Sequence, residues 1–429
     1  MIRDVDMLSL ADNLTITKDS PLEKGIYQLP NGIRIEGSSI TLDGNGAVLV
    51  GDNFSGNGIF SSGGEDITIK NISIQGYFHG ITIIKTKGLR ITGCKISGTH
   101  EVPANTSFMD IWIPASDTYS SCIFLEQVEQ GLIETSDLSH QMNGLLSYQC
   151  RGLQVRDNLA NYCSGWGFHL NESSHCVFEN NYVDYCCRYE PPGERPGHIG
   201  ADSTRFLIVN NSCDNTFGQN RARLGGDGFF LAGMTPGYEP VGWDNNLFED
   251  NDASYSPNNA FEATYSRGNI LMGNYANFGH YCFWLCFSQD GTIENNQIIA
   301  NRQAGIATEN GVNFNINRNI LSNNRYGILL CSKHIPQFDQ GMPENTTSLR
   351  WTIERNIFSG NHKAIRIAAD QDHGIKPLPA RGELGYPAPK PANHVIRNNV
   401  FEKNVHAFEQ IDILDTRIDS NELRNNYYE

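Results

Sequence analysis

Residues 271–321 read LMGNYANFGHYCFWLCFSQDGTIENNQIIANRQAGIATENGVNFNINRNIL, and one short phrase occurs in them three times. It consists of an apolar residue, two variable residues, an asparagine, one variable residue and another apolar residue. Its asparagines are Asn274, Asn296 and Asn319, which follow one another after 22 and 23 residues. A fixed period of this length is typical of a solenoid, in which every repeat packs against its neighbours.

A second phrase, a small residue followed by an apolar, a variable and an apolar residue, lies fourteen residues before most of the asparagines. Short alternating segments separated by Asn and Gly predict strands. Asn suits the bends because it tolerates left-handed φ angles and its amide can bond to the equivalent Asn on the next rung. We therefore predict an all-β fold, a single-stranded right-handed parallel β-helix of about 22–23 residues per rung.

The repeat extends over nearly the whole chain, so we predict a single domain over residues 1–429. It would comprise an N-terminal cap with the first rungs (1–50), rungs with insertions (51–421) and a C-terminal end (422–429). Loop insertions are expected to wall a cleft. The aligned positions are Asn71, Cys94, Ser136, Asn158, Asn181, Asn211, Asn251, Asn274, Asn296, Asn319, Asn356, Asn399 and Asn421. The expected insertions are at about 99–118, 186–196, 214–226, 233–243, 332–347 and 370–393.

The segment SSITLDGNGAVLVG (38–51), followed by these rungs, resembles the pectate-lyase-like and polygalacturonase-like β-helix superfamily. This resemblance implies a carbohydrate-active protein without indicating one reaction. The segment GHIGADS (197–203) is similar to a polygalacturonase motif, but the segments that supply the catalytic carboxylates of that family have no counterpart on the preceding rungs. Arg366 also lies in Arg-Ile-Ala where that family has Arg-Ile-Lys. Polygalacturonase activity is therefore not expected.

The chain has a formal net charge of −16. Nucleic acid binding needs a basic surface, so nucleic acid is not an expected partner. No segment is apolar and long enough to span a membrane, and no signal peptide is visible at the start. Eleven cysteines lack zinc-ligand spacing, and several of them fall where the repeat would place small buried residues. This favours free thiols, with a disulfide or metal site at Cys186-Cys187 as the alternative. We expect a cytoplasmic protein, or a secreted one if a signal has been removed.

Side chains alternate between the two faces of a strand. In the small-apolar-x-apolar strands, the residues at the second and fourth positions after the small residue are therefore expected to point outward. Charged and aromatic residues mix at these positions, as sugar binding requires, because sugars stack on rings and pair their hydroxyls. The alternative is a satellite core beneath a loop. The outward positions are Phe124, Glu126, Leu146, Tyr148, His169, Asn171, Phe230, Glu262, Thr264, Trp284, Ala307 and Glu309.

Glu262 is the strongest catalytic candidate, because it lies between Phe230 and Trp284 on neighbouring rungs and apolar surroundings would raise its pKa. Glycoside hydrolysis uses two carboxyl groups, and rungs about 4.8 Å apart would bring such a pair together. Asp227 in GGDGFF is the expected partner, with Asp202 as its alternative.

The other candidates are expected to bind substrate. Tyr148, Phe230 and Trp284 would stack on sugar rings, while His169 and Asn171 would bind hydroxyl groups. Glu309 would contact a neighbouring subsite. Arg223 and Arg267 could bind a carboxylate or a phosphate group.

Three functions fit these patterns. A glycoside hydrolase or related glycosyl-transferring enzyme leads, because the outward face is acidic and aromatic. A polysaccharide lyase or uronate epimerase would need a basic cleft. A glycan-binding or tailspike-like module would bind without turnover. Neither a metal site nor a cofactor is predicted, and the expected partner is an oligosaccharide or polysaccharide.

Overall fold

The computed structural model describes residues 7–103, 106, 109–188, 203–233, 244–333, 341–369 and 389–428. It divides the chain into two compact units, which are described separately. The first unit comprises Met1–Ile208 and Ser212–Gly226, and the second comprises Val209–Asn211 and Asp227–Glu429. That the whole chain is a single domain stays a prediction.

The strands of the first unit are short and separated by bends. They are β1 (Leu14–Ile16), β2 (Ser20–Pro21), β3 (Ile26–Gln28), β4 (Ile33–Ile35), β5 (Ile40–Asp43), β6 (Val48–Val50), β7 (Asn57–Ser62), β8 (Ile67–Lys70), β9 (Ser73–Gln75), β10 (His79–Ile84), β11 (Arg90–Thr92), β12 (Lys95–Ser97), β13 (Ser121–Glu126), β14 (Leu132–Glu134), β15 (Leu145–Tyr148), β16 (Gln154–Arg156), β17 (Phe168–Asn171), β18 (Val177–Glu179), β19 (Phe206–Val209) and β20 (Thr216–Gly218). One 3-10 turn, Ala115–Asp117, precedes β13.

The second unit is built in the same way. Its strands are β21 (Phe229–Ala232), β22 (Leu247–Glu249), β23 (Asn259–Thr264), β24 (Ile270–Met272), β25 (Tyr281–Trp284), β26 (Thr292–Glu294), β27 (Gln297–Ile299), β28 (Ala304–Glu309), β29 (Asn315–Asn317), β30 (Ile320–Ser322), β31 (Tyr326–Cys331), β32 (Thr352–Glu354), β33 (Ile357–Ser359), β34 (Lys363–Ala368), β35 (Val395–Arg397), β36 (Val400–Glu402), β37 (His406–Ile411), β38 (Arg417–Asp419) and β39 (Glu422–Arg424).

In each unit the strands form three parallel sheets, and the rungs contribute strands to sheets 1 and 2 throughout but to sheet 3 in only part of the unit. In the first unit, sheet 1 has the order β1-β4-β7-β10-β13-β15-β17-β19, sheet 2 the order β2-β5-β8-β11-β14-β16-β18-β20, and sheet 3 the order β3-β6-β9-β12. In the second unit the corresponding orders are β21-β23-β25-β28-β31-β34-β37, β22-β24-β26-β29-β32-β35-β38 and β27-β30-β33-β36-β39. The predicted parallel β-helix is confirmed.

The core of each unit is a column of inward side chains from equivalent positions. In the second unit the rings of Phe229, Phe261 and Phe283 stack along sheet 1, with centroids 4.9 and 5.0 Å apart. Such columns follow from the repeat, because equivalent residues lie directly above one another at about 4.8 Å spacing. They leave the alternate positions of β23 and its neighbours pointing outward.

The predicted asparagine ladder is present, but its backbone conformation differs from the expectation. Asn274 donates its backbone N–H and its amide to Asn296 Oδ1, at 2.7 and 3.1 Å, and Asn296 bonds to Asn319 in the same way. The left-handed residue is the one before the ladder position, for example Asn295 at φ 57°. The expected alignment of Asn71 is therefore wrong by one residue, because Asn71 has φ 55° and follows Lys70, which pairs with Thr92, so that Ile72 is opposite Cys94. A second asparagine ladder, which the repeat phrase did not predict, lies at the next bend. It is formed by Asn301, Asn324, Asn361, Asn404 and Asn426.

The expected alignment of Asn211 is wrong. Asn181 donates to Asn220 Oδ1 at 3.0 Å, so Asn220 continues the ladder of the first unit. The phrase around Asn211 follows β19, a sheet 1 strand, and resembles the ladder phrase because every strand end carries similar turn residues. The expected insertion at 214–226 is likewise wrong, because β20 and a bridge between Tyr182 and Arg221 place a regular rung there.

The segment 99–118 is an insertion, as predicted, and the described part of it includes two buried apolar residues, Met109 and Ile111. The other expected insertions, at 186–196, 233–243, 332–347 and 370–393, fall partly outside the described residues.

The eleven cysteines are all free, as predicted, and nine of them are buried. Cys186 is buried and its neighbour Cys187 is exposed, so the structure has no disulfide between them. In the described part of the chain, no helix has the length and apolar character that a membrane crossing would need.

Candidate functional site

The candidate site lies on the outward face of sheet 1 in the second unit. Strand pairing places Phe230 opposite Glu262 and Glu262 opposite Trp284, so the three residues occupy successive rungs as the sequence predicted. All three are half-buried. A carboxyl group is thereby held between two partly exposed rings.

Two further polar residues hold the Glu262 carboxyl group. Asn259, at the start of the same strand, donates its amide to Glu262 Oε2 at 2.5 Å. The backbone N–H of Asn259 donates to Asp227 Oδ1 at 2.7 Å, and the Asp227 side chain hydrogen-bonds to Glu262. Asp227 is fully buried. The structure therefore brings Glu262 together with its predicted partner Asp227, at hydrogen-bond distance.

This arrangement favours a neutral Glu262. Burial of its carboxyl group raises the pKa of Glu262 well above its usual range, and the negative charge and hydrogen bond of Asp227 add to the increase. The hydrogen bond from Asn259 opposes it and is the smaller effect. Two carboxyl groups in contact share one proton, so the pair carries a single negative charge.

Tyr281 and Trp284 form an aromatic wall beside Glu262, with ring centroids 4.7 Å apart. Both rings pack against a buried cluster on the next two strands of the sheet. That cluster consists of Ala304, Ala307, Tyr326, Leu329 and Cys331.

Sequence reasoning missed Asn259 and Tyr281, which pair with each other across neighbouring rungs. Both residues precede the small residue from which we counted the outward positions, and their contacts with Glu262 and Trp284 show that they share the outward face. A search for polar and aromatic residues one position earlier would have found them.

Glu309 lies two rungs beyond Glu262 on the same sheet and is half-buried. Its carboxylate pairs with the Lys333 ammonium at 3.5 Å. The charges of Glu309 and Glu262 both contribute to the raised pKa of the buried Cys286 thiol, although burial is the main cause. Cys286 therefore lies within electrostatic range of both carboxyl groups.

Of the other candidates in this unit, Arg267 adjoins a second buried carboxyl group. Its backbone N–H donates to Asp244 Oδ2 at 2.8 Å. Burial raises the pKa of Asp244 to about 7, while Arg267 acts in the opposite direction. Asp202, the alternative to Asp227, lies outside the described residues.

Tyr148, His169 and Asn171 belong to the first unit, where the outward face is covered. All three are buried. The Tyr148 hydroxyl bonds to the Thr118 hydroxyl of the insertion at 2.8 Å. The expectation of an open face is therefore wrong for this unit, because the 99–118 segment packs over it and makes it a satellite core.

His169 is fully buried beneath this covering. Its ring stacks on Trp166 with centroids 4.8 Å apart and contacts Tyr148 at 5.0 Å. Neither ring nitrogen has a hydrogen-bond partner among the described residues. Burial lowers the pKa of His169 to about 3, so the ring is neutral at physiological pH.

Arg223, also in the first unit, pairs with the buried Asp184 carboxylate at 3.6 Å and donates its backbone N–H to the same residue at 2.9 Å. Arg221 binds that carboxylate at 2.6 Å. These contacts give Arg223 a structural role in its own rung.

Two family models match the chain. The model described as "Right handed beta helix region" matches residues 207–339, and the model described as "Periplasmic copper-binding protein (NosD)" matches residues 31–235. Each model covers less than half of the chain, and the description of the first agrees with the parallel β-helix fold described above. No curated protein is significantly similar to it in sequence.

Solved structures of similar fold include a variant of the periplasmic alginate epimerase AlgG, at 12% identity and a TM-score of 0.45, covering 93% of this chain and 80% of that one. The Azotobacter vinelandii mannuronan C-5 epimerase AlgE6 A-module has 12% identity and a TM-score of 0.42, covering 96% and 91%. A variant of DFA-IIIase from Arthrobacter chlorophenolicus A6 in complex with DFA-III has 14% identity and a TM-score of 0.36, covering 77% and 68%. These similarities concern the fold alone.

The NosD description implies copper, but the described residues do not fit it. Copper binding in proteins relies on convergent His, Cys or Met ligands. Among the described residues, no group of three or more His, Cys, Asp or Glu side chains could hold a metal ion.

Proposed function

We propose that the outward face of sheet 1 in the second unit is the active site of a carbohydrate-active enzyme, a glycoside hydrolase or a related glycosyl-transferring enzyme. The observation that carries the proposal is the Glu262 carboxyl group, which lies between Phe230 and Trp284 with a pKa well above its usual range. A carboxyl group that keeps its proton at neutral pH can protonate the leaving oxygen of a glycosidic bond.

Asp227 acts in this proposal as a positioning residue. Its side chain is fully buried, so neither a sugar nor an attacking water reaches it. Its hydrogen bond to Glu262 is also closer than the separations between paired carboxyl groups in glycosidases, which are about 5–5.5 Å for retaining and roughly 6.5–9.5 Å for inverting enzymes. Asp227 therefore favours the protonated form of Glu262, while the amide of Asn259 orients the Glu262 carboxyl group.

The second carboxyl group of the reaction is then Glu309, in place of the subsite contact first expected for it. It is half-buried on the same sheet, and Trp284 lies on the rung between it and Glu262. Two rungs correspond to about 9.6 Å along the helix axis, and Glu309 lies two residues beyond Ala307, which is aligned with Trp284 and Glu262, so the two Cα atoms are about 12 Å apart. The proposal therefore requires both side chains to reach toward the same bond to bring the carboxyl groups into the inverting range. The Lys333 ammonium at 3.5 Å favours the ionised form of Glu309, which a general base needs.

The charge distribution favours a neutral sugar over a uronate. A lyase or epimerase needs a free cation next to the uronate carboxyl group. Three described cations on this face of the second unit are paired with carboxylates, Lys333 with Glu309 and both Lys363 and Arg366 with Glu409. Arg325 lies over the Tyr326 ring and donates to the neutral Gln303 amide. A polysaccharide lyase or epimerase therefore remains the second candidate.

The proposal is tested by incubating the wild type and Glu262→Gln with neutral and uronate-containing oligosaccharides. Reducing ends and the absorbance of unsaturated uronates are followed together. We expect new reducing ends without absorbance, and a loss of about 10²–10⁴-fold in Glu262→Gln, the usual contribution of a general acid. Asp227→Asn should shift the alkaline limb of the kcat/KM profile to lower pH, because it removes the charge that raises the Glu262 pKa.

Tyr148→Phe is the matched control, because it alters a covered residue of the first unit and should leave turnover unchanged. Absorbance from uronates would replace the hydrolase with a lyase. Binding without product in any variant would favour a glycan-binding module, and full activity in Glu262→Gln would remove the proposed acid.

We also propose that the protein works outside the cytoplasm, which was the second of our two expectations. The matching family model is described as periplasmic. Fractionation of the cells that produce the protein tests this location directly.

A further inference from the structure

Two buried thiols of the first unit occupy equivalent positions on neighbouring rungs. Leu159 pairs with Tyr182, 23 residues later, and the same step leads from Cys163 to Cys186. Both cysteines are buried, with exposed fractions of 1% and 0%. Equivalent Cα atoms on adjacent rungs are about 4.8 Å apart, within the range of roughly 4.4–6.8 Å that a disulfide spans.

The side chains of these cysteines point to the same place. Both thiols donate to the backbone oxygen of Ala160, Cys163 at 3.6 Å and Cys186 at 3.3 Å. The two side chains are also close enough for one thiol to donate to the other sulfur in place of Ala160. Because both thiols approach the same backbone oxygen, their sulfur atoms need little movement to form a disulfide bond.

We propose that Cys163 and Cys186 form a disulfide that joins two rungs of the first unit when the protein meets an oxidising partner of the disulfide class, such as oxidised glutathione. One thiolate attacks the oxidant and forms a mixed disulfide, releasing the first small thiol. The other thiolate then attacks that mixed disulfide and releases the second. The two cysteines lose two electrons and two protons, which the two released thiols carry away.

The surroundings of the pair determine when it reacts. The hydrogen bond that Cys163 makes to Cys186 raises the pKa of the Cys163 thiol well above its usual range, and burial adds to the increase, so the closed core disfavours the thiolate. Oxidation is therefore slow in the closed state and fast when the rungs open or first assemble. Cys187, which is exposed and adjacent in sequence, reports whether the oxidant is active.

The test uses the full-length protein, reduced and then transferred to oxidised glutathione, with and without a sub-denaturing concentration of urea. Remaining thiols are alkylated, and the digested protein is examined by mass spectrometry. We expect a cross-linked Cys163–Cys186 peptide that accumulates faster in urea, together with a rise in Tm. Cys187→Ser should form the same bridge, whereas Cys163→Ala should form none and show no oxidative rise in Tm.

The proposal is overturned if Cys187 becomes glutathionylated while Cys163 and Cys186 are still alkylated in both conditions. A bridge between Cys186 and Cys187 instead would also overturn it. If Cys163→Ala does not fold, the peptide identity in the wild type and in Cys187→Ser still decides the question. None of these measurements requires enzymatic activity, so the result is independent of the proposed function.

Discussion

The outward face of sheet 1 has opposite characters in the two units, although both arise from the same repeat. In the first unit, Phe124, Tyr148 and His169 lie buried beneath the 99–118 insertion, and burial keeps the imidazole neutral. In the second unit, Glu262 and Trp284 are half-buried, and burial together with Asp227 keeps the carboxyl group neutral. The comparison teaches that aromatic residues on an outward strand face contribute to the core of a unit when an insertion buries them, whereas the described rings of the candidate site in the second unit stay partly exposed and form the face that we propose as a binding surface.

The largest expected effect is a difference between two substitutions, one of an aromatic ring on the sheet 1 face of the first unit and one of an aromatic ring on that of the second unit. Phe124→Ala removes a ring that contacts His79 at 4.9 Å and Tyr148 at 5.7 Å, and should lower the free energy of unfolding by about 3–5 kcal/mol. Trp284→Ala should lower it by roughly 1 kcal/mol, since that ring is half-exposed, but should weaken sugar binding about tenfold. Denaturant titration and calorimetry with a substrate measure the two quantities.

The opposite results for these two substitutions would contradict the difference between the two faces. If Phe124→Ala weakened sugar binding and left stability unchanged, the face of the first unit would be a binding surface despite its covering. Unchanged sugar binding in Trp284→Ala would remove the aromatic wall from the proposed site.

The second prediction concerns the loss of folding stability at acidic pH that is caused by His169. His169 has a pKa lowered from 6.5 to about 3, so the unfolded chain takes up a proton in this interval that the folded chain does not. The stabilisation is complete above pH 6.5 and is lost as the pH falls toward 3. At pH 5 the loss from this group is about 2 kcal/mol.

His169→Leu should flatten this part of the stability profile, and Leu fits because Leu146 occupies the paired position on the neighbouring strand. The exposed His175, changed to Asn, is the matched control and should leave the profile unchanged. An unaltered acid dependence in His169→Leu would show that the covering admits water or protons to the ring.

The smallest expected effect is on the alkaline side and concerns the second unit. The pKa of Glu262 is raised on folding, so the folded chain holds a proton that the unfolded chain releases above about pH 4.5. Wild-type stability should therefore fall as the pH rises from that value. Glu262→Gln stays neutral at every pH, and its Tm should exceed that of the wild type by roughly 2 °C or more at pH 8.

The two proteins should have matching Tm values near pH 4, where the wild-type carboxyl group is protonated in both folded and unfolded chains. A Tm difference that did not change between pH 4 and pH 8 would mean that Glu262 is ionised in the folded protein. The general-acid role would then be untenable.

Part of the site was predictable from alternation alone. The row Phe230, Glu262 and Trp284 follows from counting along equivalent strands, because strand register in a solenoid is fixed by the repeat. Asp227 was found as a carboxyl group at the end of the preceding strand. Its complete burial and its contact with Glu262 were not predictable, since they depend on how the bend before β21 turns its side chain.

The misplaced Asn211 shows the limit of reading a repeat by its phrase. Turn residues recur at every bend, so two bends of one rung can have the same sequence pattern. Only the hydrogen bond from Asn181 to Asn220 identifies the residue that belongs to the ladder. The backbone also shows that the left-handed residue precedes the ladder asparagine, because the ladder residue uses its side chain for the neighbouring rungs.

By itself, the sequence determined the parallel β-helix, its period and the orientation of most side chains, because a 22- to 23-residue repeat forces equivalent residues into contact between rungs. The tertiary structure decided which outward residues meet solvent, because burial depends on where an insertion of irregular sequence folds back. It also decided the chemistry of Glu262 and the contact of Cys163 with Cys186. Both depend on distances of a few ångströms between side chains far apart in the chain.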